Sequence, residues 1–292
     1  MISVIVCVYN EEKTIAKCIN SILPQISKDD EIIVVSSGSI DNTNLIVKEV
    51  SEKDKRVRLI TEPERKGKSS AINLAIKNAK SDIIISTDGD VTLEKDAIPF
   101  LLPHFKDESI GAVSGNPIPI LPKNNLFYFW TIMSYRKIGE IREKEVKDKT
   151  FNVHLSGYLL AFRKKALKEI SFSKGSILVE DVWIGKTIKD NGYKLTYEPD
   201  AKVYVKCPTT IKDFLIQKSR VRAGYTHSLN APRTMKKEIF YFPGELLRIP
   251  IWGWPKFILS GWIYLFSWCE GYYYAKKNKP LQEIWKEVKS TK

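Results

Sequence analysis

The first hundred residues alternate between short apolar runs and longer amphipathic stretches, the pattern of strands joined by crossover helices in a mostly parallel sheet. Strands are expected at Ser3–Val8, Glu31–Val35, Val57–Thr61 and Asp82–Thr87. Between them Ile15, Cys18 or Ile19, and Ile22 recur at helical spacing, as do Leu45, Ile46 and Val50, and then Ile72, Ala75, Ile76 and Ala79. A helical period near 3.6 gathers such residues on one face. From Ile110 to Pro199 the pattern is less regular. It predicts a strand at Ile110–Ser114, an aromatic amphipathic helix around Leu126–Arg142, a helix at Val182–Asp190 closed by Gly192, and a strand at Lys194–Tyr197.

After about Arg233 the pattern changes again. Trp252, Trp254, Trp262, Tyr264, Trp268, Tyr272, Tyr273 and Tyr274 crowd a stretch bordered by Lys236, Lys237, Arg248, Lys276 and Lys277. Between Lys256 and Glu270 thirteen uncharged residues run together, short of the roughly 20 that span a bilayer as a helix. Two readings fit: interfacial helices whose rings and flanking cations sit among lipid headgroups, or an aromatic helix packed on the core. The sequence thus divides into residues 1–233 and a helical segment, 234–292.

A length of 292 residues, 43% hydrophobic and 28% charged, supports a folded α/β chain with a sizeable core rather than a disordered one. A net charge of +13 narrows the partner to something acidic: a diphosphate, an anionic membrane surface or a nucleic acid. No helix-turn-helix, zinc-finger spacing or RNA-binding aromatic signature accompanies it, so no nucleic-acid partner is expected. Cys7, Cys18, Cys207 and Cys269 show no CxxC spacing and read as free thiols in a reducing compartment. With no basic stretch before its short first apolar run, the chain reads as one that starts and stays in the cytosol.

Asp88, Gly89 and Asp90 directly follow the apolar run Asp82–Thr87, which puts two carboxylates at a sheet's C-terminal edge, where ligands bind in open α/β sheets. Close carboxylates repel unless a cation or donor lies between them, and a hard divalent ion that keeps positions open for phosphate oxygens suits the pair. A solvated Asp-Gly turn is the alternative. The first strand leads into Val8-Tyr9-Asn10-Glu11-Glu12 and the second into Ser36-Ser37-Gly38-Ser39-Ile40-Asp41, polar turns at the same edge. Lys66-Gly67-Lys68-Ser69-Ser70 looks like the end of a P-loop, but Glu62 stands where that loop requires its first glycine, which excludes an ATPase of that type.

SVIVCVYNEE, VVSSGSIDNT, KGKSSAINLAI, STDGD, VEDVWIG and QKSRVRAG, in that order from residue 2 to about 224, resemble the landmarks of a family 2 inverting glycosyltransferase of the GT-A fold. The resemblance implies an α/β, Rossmann-like, mostly parallel central sheet flanked by helices, here followed by the helical, aromatic-rich, membrane-associating extension. It implies a UDP- or GDP-sugar donor, Mg2+ or Mn2+, and a hydroxyl or lipid-phosphate acceptor met at the cytoplasmic face of the cell membrane. Residue by residue, Val8, Tyr9 and Glu11 would line the base and ribose pocket with Ser37 and Asp41 nearby. Gly67, Lys68 and Asn73 would lie beside the donor at a helix start, Asp88 and Gly89 against its ribose or sugar. Asp90, with Asp88, would hold the metal. Asp181, paired with Glu180, would be the general base, although acidic residues at a helix start are also ordinary capping.

The chain departs from the family pattern twice. Ser36 and Ser37 stand where two acidic residues are usual, removing an expected carboxylate contact to the base. Gln217, Arg220 and Arg222 resemble a QxxRW element with Val221 in place of the tryptophan, which argues against processive polymer synthesis; the arginines can still clamp phosphate oxygens. His154 reads as structural, and with His104 and His227 forms no zinc-ligand spacing. A nucleotidyltransferase and a non-catalytic basic binding protein are the competing functions.

Overall fold

A strand covered on both faces carries apolar residues at every position rather than at alternate ones, and β1 (Ser3–Val8) and β2 (Glu31–Ser37) are buried along their whole length. With β3 (Val57–Glu62) and β4 (Ile83–Asp88) they form a parallel array in the order β3-β2-β1-β4. The structure is a computed structural model and describes residues 1–151, 153–167, 180–229, 242–277 and 288–291.

One face of the sheet is covered by α1 (Ile15–Ile22), which buries Ile15, Cys18, Ile19 and Ile22. The other is covered by α3 (Lys68–Asn78), which buries Ala71, Ile72, Ala75 and Ile76. The intervening α2 (Thr43–Lys53) buries Thr43 and Val47 and packs the half-buried Ile46 and Val50 against the same core as α1, while Leu45, expected on that face, is exposed. The Thr43 hydroxyl donates to Asp41 Oδ1 (2.5 Å) and accepts the Glu11 N–H (2.7 Å), tying the start of α2 to the turn after β1.

The second half of the sheet adds β5 (Val91–Leu93), β6 (Ile110–Ile120), β7 (Leu159–Arg163) and β8 (Lys194–Lys206), giving the order β3-β2-β1-β4-β7-β6-β8-β5. β7 is antiparallel to both β4 and β6, and β5 to β8, so the sheet is mixed. β6 and β8 run beyond Ser114 and Tyr197, the ends expected from sequence. Register shifts at Ile110/Ala112 and Ser114/Asn116 let the pair bend and continue pairing. Because β7 runs backwards, its entry loop, Ser156-Gly157-Tyr158, lies at the C-terminal edge of β4.

Beyond the short α4 (Ala97–Leu101), the described residues also form α5 (Tyr128–Lys147), α6 (Glu180–Asp190), α7 (Ile211–Leu229), α8 (Phe242–Leu246) and α9 (Trp254–Lys276). α9 meets the expectation of an aromatic helix packed on the core. One face packs on α5 and α7, where Phe127, Trp130, Phe214 and Phe257 make a separate core and Phe127 stacks on Phe214 at 4.0 Å. Small residues allow the close approach: a Cβ on Gly271 would lie 2.6 Å from the Ser219 carbonyl oxygen. The opposite face leaves Ile258, Leu259, Trp262, Phe266 and Tyr273 exposed, as is Trp252 just before the helix. Among the described residues no helix is long and apolar enough to cross a membrane. Cys7, Cys18 and Cys207 are buried free thiols and Cys269 is an exposed one.

Candidate active site

The C-terminal ends of β1, β2 and β4, the loop before β7 and the starts of α3 and α6 converge on a cavity of about 420 Å3. Of the residues singled out in the sequence, Val8, Tyr9, Glu11, Ser37, Lys68, Asp88, Gly89, Asp90, Glu180, Asp181, Gln217 and Arg220 line it. Asp41, Asn73 and Arg222 do not. The Asp41 carboxylate accepts the Glu12 and Thr43 N–H groups at 3.1 and 3.0 Å, tying the first and second strand turns together. Asn73 sits further along α3. Arg222 turns the other way, its guanidinium carbon 3.5 Å above the Trp268 ring of α9, so it anchors the C-terminal helix.

Gly89 lets the two aspartates stand at the rim. Its N–H bonds the Cys7 carbonyl at 3.2 Å, and a Cβ there would collide with the Val8 side chain. Any other residue would force the turn off β1. Asp88 then meets the Lys68 amine at 2.7 Å, and the same amine meets Glu180 Oε1 at 2.7 Å and the Gly157 carbonyl at 3.1 Å. Lys68 thereby links α3, β4, α6 and the β7 entry loop. Burial would lower its pKa, but the two carboxylates outweigh burial and hold it well above the usual lysine range. Gly157 leaves little room at this junction: a Cβ would lie 3.0 Å from Glu180 Oε1 and 3.2 Å from the Lys68 amine, so both side chains would have to give slightly.

Asp181 accepts the Gly157 N–H at 3.1 Å and the Val182 N–H at 2.8 Å, which aims its carboxylate into the cavity from the first turn of α6. Burial, then the neighbouring Glu180 charge, push its pKa up to about 6. That group is ionised near neutrality yet basic enough to take a proton. Arg220, reaching in from α7, has its pKa lowered by burial and lies within the fields of Glu180 and Asp88.

Burial, Asp88 and Glu11 raise Asp90 to about 7. Among the described residues no cation pairs with Asp90, and no three His, Cys, Asp or Glu side chains gather as a closed metal cage. A carboxylate so placed could hold a hard divalent ion, since such an ion can take one or two carboxylates and complete its shell with phosphate and water oxygens.

Several lining residues carried no motif. Arg65 lies over the Tyr9 ring, 4.0 Å from guanidinium carbon to centroid. Tyr135 and Tyr158 form a half-buried hydrogen-bonded pair on the far wall, and Pro117, Ile138, Val205 and Lys206 also line the cavity. Gly67, two residues after Arg65, takes a positive φ (+89°) in the turn that presents that loop; the far wall is assembled from separated segments, and neither left a motif in the sequence.

Residues 3–171 match the profile described as Glycosyl transferase family 2. The poly-beta-1,6-N-acetyl-D-glucosamine synthase of Staphylococcus aureus (strain COL) is 29% identical over 222 residues, 76% of this chain but 53% of that protein; the chain thus spans about half the length of such relatives. Among solved structures, the mannosyltransferase PcManGT from Pyrobaculum calidifontis, in complex with GDP-Man and Mn2+, superposes with a TM-score of 0.66 at 18% identity, covering 95% of this chain and 87% of its own. TarS 1–349 of S. aureus with UDP-GlcNAc gives 0.52 at 18%, covering 89% and 79%. The solved neighbours share the GT-A architecture of a mixed sheet flanked by helices, and with a profile match over more than half its length the chain belongs to glycosyl transferase family 2.

Proposed function

We propose that the protein transfers a sugar from a UDP- or GDP-sugar to a hydroxyl or lipid-phosphate acceptor, with inversion at the anomeric carbon. The observation that carries this reading is the convergence of Asp88, Asp90 and Asp181 on one cavity, coupled through Lys68 and Gly157. Asp90, with Asp88 beside it, would hold a Mg2+ or Mn2+ ion, which would supply Lewis-acid stabilisation of the departing diphosphate. Arg220 and the Lys68 amine present positive charge toward the same side of the cavity. Asp181 takes the acceptor's proton as the acceptor oxygen bonds to the anomeric carbon. The bond from that carbon to the diphosphate breaks, and its electron pair leaves with the phosphate oxygen.

The same reading places the protein at the cytoplasmic face of the cell membrane as a peripheral protein. Its support is the exposed apolar face of α9, with Lys276 and Lys277 at its end, on a chain of charge +13. The test is product analysis during turnover of UDP-GlcNAc or GDP-Man. Sugar transfer releases the nucleoside diphosphate, whereas pyrophosphate would mark a nucleotidyltransferase and overturn the reading.

A further inference from the structure

The serines that replace the family's acidic pair have a structural role, and that role points to a different way of recognising the base. The Ser37 hydroxyl donates to the Glu64 carbonyl at 3.3 Å and accepts the Lys66 N–H at 3.0 Å. The Ser36 hydroxyl donates to the Ser39 hydroxyl at 2.8 Å. Ser37 therefore clamps the loop after β3 onto the end of β2. Gly38, with φ +73°, permits the contact, since a Cβ on it would lie 2.5 Å from the Arg65 nitrogen. The clamped loop carries Arg65 over the Tyr9 ring, and both residues line the cavity on the side of the β1 and β2 turns. Among the described residues Arg65 has no carboxylate ion pair within 4.0 Å, and its side chain is exposed.

Resting on the transferase reading above, we propose that Arg65, seated on Tyr9 and held by the Ser37 clamp, is the residue that selects the donor's base and that it favours guanine over uracil. A guanidinium offers a rigid fork of N–H donors and no acceptor. Guanine presents two adjacent acceptors, O6 and N7, which that fork matches bidentately. Uracil presents an N–H between two carbonyls and needs an acceptor opposite the N–H. The carboxylate that would serve is absent, and the Ser37 hydroxyl in its place is already bonded to the loop on both sides. Tyr9 adds a flat surface that fixes the guanidinium by cation–π attraction, so the fork is oriented before the nucleotide arrives.

Titration calorimetry of GDP and UDP, each with Mn2+, on the full chain tests this. The intact protein should bind GDP about 5- to 100-fold more tightly than UDP, the discrimination of a bidentate arginine contact. Arg65→Ala should weaken GDP until the two are equal and leave UDP unchanged; Arg65→Lys, which keeps the charge but lacks the fork, should behave like the alanine variant. Ser37→Ala, which releases the clamp, should narrow the preference. Equal binding or a UDP preference in the intact protein overturns the proposal, as does an equal loss for both nucleotides in Arg65→Ala, which would make Arg65 a phosphate contact. If neither nucleotide binds, the transferase reading itself falls.

Discussion

The donor side of the cavity is walled by strand ends and tight turns, the opposite side by helices that come from far apart in the chain. On the donor side Val8, Ser37 and Asp88 follow directly from buried strands whose partners are fixed by parallel register, so each side chain's position is set within a few residues of an apolar run. On the far side Tyr135 of α5, Lys206 of β8 and Gln217 of α7 meet only because α5, α7 and α9 share the Phe127, Trp130, Phe214 and Phe257 core. The first wall is rigid because it continues the main sheet. The second rests on a smaller, separate aromatic cluster.

Perturbing each wall should give a different loss. Asp181→Asn removes the proton acceptor but keeps its size, and transfer should fall by about 100- to 10,000-fold with an unchanged melting temperature; steady-state kinetics beside calorimetry checks both. Phe257, on the inner face of α9, is fully buried, so Phe257→Ala should lower unfolding stability by about 3–5 kcal/mol. Denaturant unfolding with a comparable loss would show that α9 belongs to the cooperative core, and no loss would separate it. The transfer rate should fall as the pH drops below about 6, where Asp181 gains a proton, and level off above it. The sign follows from the ionised carboxylate being the base, and a pH–rate profile that rises toward acid would exclude that role. Trp262, on the exposed face of α9, is expected to matter least for folding: Trp262→Glu should change stability by within about 0.5 kcal/mol, yet reduce co-sedimentation with anionic vesicles.

The same contrast explains what could be read from the sequence. Asp88, Asp90 and the four parallel strands were legible because strand, turn and carboxylate are contiguous. Asp181 was legible only through the family pattern, since Glu180-Asp181 alone is indistinguishable from a helix cap; its meaning comes from Gly157 and Lys68, 24 and 113 positions away. Arg65 carried no periodic or motif signal, being an exposed charge in a basic turn. Asp41 and Arg222 were grouped with the site through the family pattern, but one ties two loops together and the other stacks on Trp268. In both cases the side chain's direction depends on tertiary contacts that no local pattern encodes.

The central claim is that the paired aspartates at the sheet rim make a donor site completed by a divalent ion. Thermal unfolding of the intact protein and of Asp90→Ala, with GDP-Man or UDP-GlcNAc, each with and without Mn2+, tests it most directly, because a ligand that binds only the folded state raises the apparent stability. The account predicts a rise in melting temperature that needs both nucleotide sugar and Mn2+ in the intact protein and disappears in Asp90→Ala. A rise that is the same without metal, or that survives intact in the variant, would contradict it.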